Sequence, residues 1–269
     1  MRAIIFYALL LYVAFSINVL AGYAVTIGCI IYLLYKSVPS FYAKKGNAAF
    51  NERDFEKALY YYEKAYKTGR ASASISLTYG ILLLRLGKVE DAEVVFNMIV
   101  LSNDKKITKA MKNKTRQYRA LAYYKTGRVD DALDEAYDIF ENFKSSVSYG
   151  LLGYLKIATG APADDIYDFC QEAYEYNSDD RDIADNMVVS LILKGDLEKA
   201  KEYADKLLKS NPEFTEAHYH AAVIYKKLGD NKKALEILES IDTQCNRTYL
   251  TTVSVEEIEE LKMSLADND

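Results

Sequence analysis

The sequence predicts an all-α protein: an α-solenoid of about six stacked helical hairpins with a C-terminal capping helix, preceded by one or two N-terminal transmembrane helices. Three observations lead there. Small and apolar residues recur in a fixed pattern, roughly every 34 residues, from Pro39 to about Asp242. The 33 residues from Ala3 to Tyr35 carry no charged side chain. Half of the 269 residues are hydrophobic and only three are Pro, so the chain has the apolar content to fold and few interruptions to helices.

The uncharged N-terminal run would extend ~50 Å as one helix, against a hydrocarbon core of ~30 Å. Asn18 and Gly22 lie near its middle, where a polar side chain and a flexible backbone allow a turn between arms at about Ala3–Ser16 and Tyr23–Tyr35. A helical hairpin and a single tilted span both fit residues 1–36. Each arm falls short of the ~17 residues usual for a span, so the hairpin relies on Tyr, Arg and Lys at the interface. A cleaved signal peptide fits poorly, because the apolar run resumes after Ala21 and Gly22 with no polar segment between. The nearest basic residues are Arg2, Lys36, Lys44 and Lys45. The excess of cations on the cytoplasmic side of membranes then predicts a cell-membrane protein with its large domain in the cytoplasm. Pro39 reads as a boundary just past the bilayer.

Beyond residue 36 the chain carries 32 basic and 39 acidic side chains. That balance excludes a nucleic-acid binder, which needs a basic face for the phosphates. Cys29, Cys170 and Cys245 are odd in number and widely spaced, which gives neither a disulfide framework nor a thiolate metal site.

The repeat is clearest where Gly46-Asn47-Ala48-Ala49-Phe50 is followed by Asp54-Phe55-Glu56-Lys57-Ala58 and Tyr62-Glu63-Lys64-Ala65. This segment resembles the tetratricopeptide repeat, and the chain as a whole is similar to membrane-anchored bacterial-type members of that family. With Pro39 at repeat position one, Gly46, Ala58, Tyr62 and Ala65 fall at positions eight, twenty, twenty-four and twenty-seven. A second unit in register supplies Gly80, Ala92 and Phe96. Later units supply Ala120 and Ala132, Gly153 and Ala173, Ala200 and Ala204, and Ala222 and Ala234. The units lie near 39–72, 73–106, 113–146, 147–180, 181–214 and 215–242, with a capping helix over 250–266. The fourth runs one residue out of frame, with an extra residue expected around Ala161-Pro162-Ala163.

Each position has a physical role. Helices of about 13 residues are marginal alone and must bury an apolar stripe against each other and the next hairpin. Small residues let the backbones approach. Gly87, Gly127, Gly160, Gly195 and Gly229 fall at the turns, where a left-handed residue ends the first helix. Arg53 holds that place in the first unit, so either it adopts a strained conformation or the turn differs. Ser254-Val255-Glu256-Glu257 has the form of a capping box, with Val255, Ile258, Leu261 and Leu265 on one face of the helix it starts.

Catalytic constellations are missing from the pattern, and the expectation is that the chain is no enzyme and binds no cofactor or metal. Gly80 and Gly87 lack the Lys-Ser or Lys-Thr ending of a phosphate loop. His218 and His220, two apart on a helix, point in different directions and have no third ligand. Cys170 falls at packing position twenty-four. Asn246-Arg247-Thr248 has the form of a glycosylation acceptor, without meaning in the cytoplasm.

The family resemblance implies a right-handed superhelix whose inner groove is lined by helix positions two, five, nine, twelve and thirteen of each unit. Carried onto this sequence, these give Asn47, Phe50 and Asn51; Leu77, Ile81, Leu84 and Arg85; Gln117, Leu121, Tyr124 and Lys125; Tyr154 and Ile157; Asp185, Val189 and Ile192; and Tyr219, Val223, Lys226 and Lys227. An apolar and aromatic lining with Arg85, Lys125 and Lys227 suits a protein or peptide ligand with hydrophobic anchors and acidic groups. The carboxylate clamp of chaperone-binding members is matched at Asn47 but not at Ala43 or Asn51. The irregular stretch Leu101–Lys112, with Lys105, Lys106, Lys109 and Lys112 and then Lys114 and Arg116, is either a lengthened helix or loop with a solvated face or a patch for anionic lipid or an acidic partner. Two functions remain open: a scaffold holding a cytoplasmic partner at the membrane, or a regulatory or assembly subunit of a membrane enzyme, transporter or envelope complex. The second would act partly through the hairpin, where Asn18 would seek a polar partner in lipid, on an integral membrane protein.

Overall fold

The computed structural model describes residues 2–212, 214–241 and 253–266. Cys245 and the Asn246-Arg247-Thr248 triplet lie outside them, as do residues 250–252 of the expected cap. All regular structure among the described residues is helical. The chain divides into two compact units, Met1–Tyr79 and Gly80–Asp269.

In the first unit, α1 (Arg2–Ile17) and α2 (Val19–Asn51) form an antiparallel pair joined at Asn18 alone. Asn18 has an extended backbone, and its Oδ1 accepts from the Leu20 N–H at 2.8 Å, capping α2. The two expected arms are therefore both helices, with a tighter turn than Asn18–Gly22. Gly22 lies where any Cβ would collide with the Phe15 ring. Pro39 is no boundary: α2 runs unbroken through it for 33 residues. The missing Pro39 N–H removes only one hydrogen bond from a long ladder, and its ring is buried. A single helix thus carries the apolar run and the first repeat helix. Its far end buries Ala43, Gly46 and Ala49 beside α3 (Phe55–Lys67), where a Cβ at Gly46 would lie 2.5 Å from the Tyr62 ring.

The turn into α3 settles the question at Arg53, which takes the left-handed conformation at φ 60°. Gly87, Gly127, Gly160, Gly195 and Gly229 do the same at φ between 71° and 85°. The backbone N–H of the residue after the glycine closes each turn, as Lys88 N to Leu83 O at 2.9 Å and Arg128 N to Tyr123 O at 2.9 Å.

The repeat hairpins of the second unit run α4 (Ala73–Arg85, shared with the first unit) and α5 (Val89–Val100), α6 (Lys109–Lys125) and α7 (Val129–Asn142), α8 (Ser146–Ala158) and α9 (Ala163–Tyr176), α10 (Arg181–Lys194) and α11 (Leu197–Lys209), and α12 (Thr215–Lys227) and α13 (Asn231–Glu239). The small positions are where the helices touch: Ala92, Ala120, Ala132, Ala200, Ala222 and Ala234 are wholly buried, and a Cβ at Gly80 would lie 2.5 Å from Phe96. The extra residue of the fourth unit is present, since Ala161 and Pro162 both separate Gly160 from α9 where Arg128 alone separates Gly127 from α7. Cys170 is buried, and that burial pushes its thiol up to about 12.

The cap is α14 (Val255–Ala266). Its box is reciprocal, with Ser254 N donating to Glu257 Oε2 at 2.7 Å and Glu257 N to Ser254 Oγ at 3.0 Å. Ile258 and Leu265 are buried in the same core as Ile224, Leu238 and Ile241, so α14 covers the apolar end of the array. The irregular basic stretch is both a loop and a lengthened helix: residues 101–108 precede a 17-residue α6. Two of its cations serve the fold, Lys112 donating to Ser102 O at 2.6 Å and Arg116 to Glu135 at 2.7 Å. Lys105, Lys106, Lys109 and Lys114 line the rest of the stretch, and all four are exposed.

Candidate ligand-binding surface

In the first unit, Asn47 and Phe50 lie on α2, and both are exposed. Asn47 is not idle, since its Oδ1 accepts from Tyr62 Oη at 2.5 Å. Phe50 stands edge-on to Phe55 at 5.3 Å.

In the second unit the first helices of successive hairpins contribute to one face. Tyr124 of α6 and Tyr154 of α8 meet edge to face at 5.9 Å. The Tyr154 hydroxyl is buried without a hydrogen-bond partner among the described residues. Burial, then Tyr124 and Glu216, raise its pKa well above the usual phenol range. Beside it, burial lowers Lys125, opposed by Glu216 from α12. The charge of Glu216 on α12 is thus felt at Lys125 on α6 and at Tyr154 on α8.

Asp185 of α10 is 8% exposed and bound to His220 of α12, at 2.9 Å and 3.2 Å from Nδ1 to its two oxygens. Burial would hold the imidazole neutral, but the Asp185 carboxylate and, more weakly, Glu216 overcome it and raise its pKa above the ordinary 6.5. Asp182, one turn earlier, is exposed. Loss of hydration beside the surrounding helices, then the charges of Asp180, Asp185 and Glu216, push its carboxyl up to about 6.

Other expected groove residues are placed differently. Leu84 is wholly buried and fills the core, so it lines no surface. Its position in the repeat frame is right, but α4 buries most of its length. Gln117 retains 9% exposure. Arg85 is half-buried at the end of α4, and Lys227 is exposed at the end of α12. Tyr219 is half-buried, its pKa raised by burial and then by Glu257 and Glu260 of α14, while Lys226 donates to Ser264 of α14 at 2.7 Å. The cap thus occupies part of the face expected for a ligand. Asp182, Glu216 and His220 were not expected there. Asp182 and Glu216 hold position two of their units, so the same spacing rule could have found them. Among the described residues no three His, Cys, Asp or Glu side chains form a metal-binding group.

Helical hairpins with small residues at their crossings, glycine-closed turns and a polar-aromatic inner face define a helical-repeat interaction module. The module is of the tetratricopeptide repeat class. A model of the fourth ARM domain of tetratricopeptide repeat protein 21 matches residues 41–148, and a tetratricopeptide repeat model matches residues 191–244. The fold is shared with a thermophilic TPR protein of Thermus thermophilus, at 16% identity and a TM-score of 0.56 over 73% of this chain and 98% of that one. Pseudomonas aeruginosa pilF matches at 14% identity and 0.55, and a tetratricopeptide repeat protein of Parabacteroides merdae at 14% and 0.53, each over 86% of this chain and 99% of the other. No curated protein matches. The tetratricopeptide repeat is a non-catalytic protein-interaction module, and the chain is not an enzyme.

Proposed function

We propose that the chain is a membrane-anchored scaffold that binds a protein or peptide segment on the inner face of its second unit, on the cytoplasmic side of the cell membrane. The observation that carries the reading is the edge-to-face pair of Tyr124 and Tyr154 on successive first helices, with the buried Tyr154 hydroxyl left without a partner among the described residues; Asp182 and Glu216 add negative charge that is felt near them. Aromatic rings offer large contact area at low entropic cost, and a carboxylate offers charge-assisted bonding. The ligand favoured is a segment with apolar anchors and a basic group near Asp182, in place of the acidic groups suggested by Arg85, Lys125 and Lys227.

Anchoring rests on α2, which is long and apolar enough to cross a membrane and whose apolar window is almost uncovered by the rest of the chain. The shorter apolar α1 lies against it. The alternative of a subunit acting through the hairpin would draw on the Asn18 amide N–H donors, since its carbonyl already caps α2.

A photo-crosslinking amino acid at Tyr124, with another at exposed Tyr137 on α7 as control, tests the surface. The expected result is an adduct at 124 that weakens on Asp182→Asn and strengthens as pH rises through about 6, where Asp182 ionises. Equal adducts at 124 and 137 would sink the inner-face reading.

A further inference from the structure

The first unit has the opposite charge to the second. Its 79 residues hold nine basic and four acidic side chains, against 25 and 35 in the remainder. The cations are also arranged. Because α3 runs antiparallel to α2, contacts along the pair form a ladder: Lys45 lies over Tyr61 at 5.6 Å, Lys64 over Tyr42 at 5.8 Å, and finally Arg70 over Tyr35 at 3.6 Å. The turn after α3 is thereby brought back level with Tyr35, the last residue of the uncharged run.

Three cations stand at or within two turns of that level without a carboxylate among the described residues. Arg70 lies over Tyr35, with Nη1 donating to Thr68 O at 3.1 Å and Nε without a partner among the described residues. Lys36 lies 5.2 Å over Tyr32. Lys64 lies 4.3 Å over Tyr60. Lys67, by contrast, is paired with Glu63 at 2.6 Å. Guanidinium and ammonium groups held on aromatic faces keep their outward N–H donors available, and an arginine fork matches a phosphate in geometry.

We propose that Lys36, Lys64 and Arg70, where the end of α3 meets the end of the apolar run of α2, form a binding surface for the headgroups of anionic phospholipids. This rests on the membrane reading above and adds a lipid class to it. Continuity fixes the occupant: the same helix that supplies Tyr35 supplies the apolar run, so the surface lies at headgroup depth when that run is in the bilayer. Charge complementarity fixes the lipid class.

The chain contains no Trp, so one introduced Trp is a clean reporter. The full chain with Ser72→Trp, next to the turn, is reconstituted into phosphatidylcholine vesicles with or without phosphatidylglycerol, each holding a trace of headgroup-nitroxide lipid. A second chain with Val25→Trp, in vesicles with an acyl-chain nitroxide, reports insertion of α2. The expected result is quenching at 25 in both lipids, and quenching at 72 that rises with phosphatidylglycerol and is reversed by salt. Arg70→Gln and Lys64→Gln should each lower the anionic preference roughly fivefold, the factor equivalent to about 1 kcal/mol per cation at an anionic surface. The salt reversal needs no charge substitution, so it holds even if those variants fold poorly. Quenching at 25 with none at 72 above the phosphatidylcholine level overturns the headgroup surface and leaves the anchor. No quenching at either site overturns both. Quenching at 72 alone supports the surface and overturns the anchor.

Discussion

At the level of single residues, Arg53 and the five turn glycines make the same left-handed turn with different side chains. An L-residue with a Cβ spends about 1–2 kcal/mol there, part of which glycine recovers and part of which its freer unfolded chain gives back. Arg53→Gly is expected to raise stability by up to about 1 kcal/mol, read as a higher thermal midpoint. His220 offers a test by titration. Its pKa is raised in the folded chain, so its contribution to stability is whole below the ordinary 6.5 and is lost as pH rises through the folded value. NMR should place the His220 titration above 6.5, and Asp185→Asn should bring it down because burial then acts unopposed by that carboxylate. A titration unmoved by Asp185→Asn would refute the pairing. The turn glycines were legible from spacing; the His220–Asp185 pair was not, because 35 residues separate the partners in the chain.

At the level of elements, α5, α6 and α7 are tied by a charged network that no local pattern announces. Glu135, 6% exposed, accepts from Arg116 Nε at 2.7 Å and from Arg119 Nε and Nη2 at 2.8 Å and 2.6 Å. Arg119 also donates to Asn97 on α5 at 2.8 Å, and Arg128 pairs with Glu93. Removing Glu135 leaves Arg119 with only the neutral Asn97 acceptor and Arg116 with only the half-exposed Asp138, so Glu135→Ala should cost roughly 3 kcal/mol. A denaturant midpoint barely moved by that change would show the network to be superficial. In sequence Glu135 is one of several acids at the start of a helix whose outer face is acidic. Helical spacing gives its direction, but only the packing of α6 on α7 supplies the arginines.

At the level of the whole molecule, one chain joins a basic, aromatic, apolar-run unit to an acidic repeat unit. The uncovered apolar surface of α1 and α2, including Leu9, Leu20, Ile27 and Leu34, each more than half exposed, is more than a water-facing surface tolerates. The intact chain should therefore stay with the membrane pellet after alkaline carbonate extraction, while a chain lacking residues 1–37 should pass to the supernatant. Release of the intact chain would overturn the anchored reading.

The sequence by itself determined the all-helical repeat, its turns, its cap and the apolar N-terminal run, because each depends on residues close in the chain: a small residue at a crossing, a left-handed turn, a box of four. Tertiary structure alone decided that Pro39 lies within a continuous helix, that Leu84 belongs to the core, and that His220 pairs with Asp185. Those outcomes depend on which helix lies alongside which, and the burial and charge of a side chain's surroundings come from neighbours a hairpin or more away in sequence.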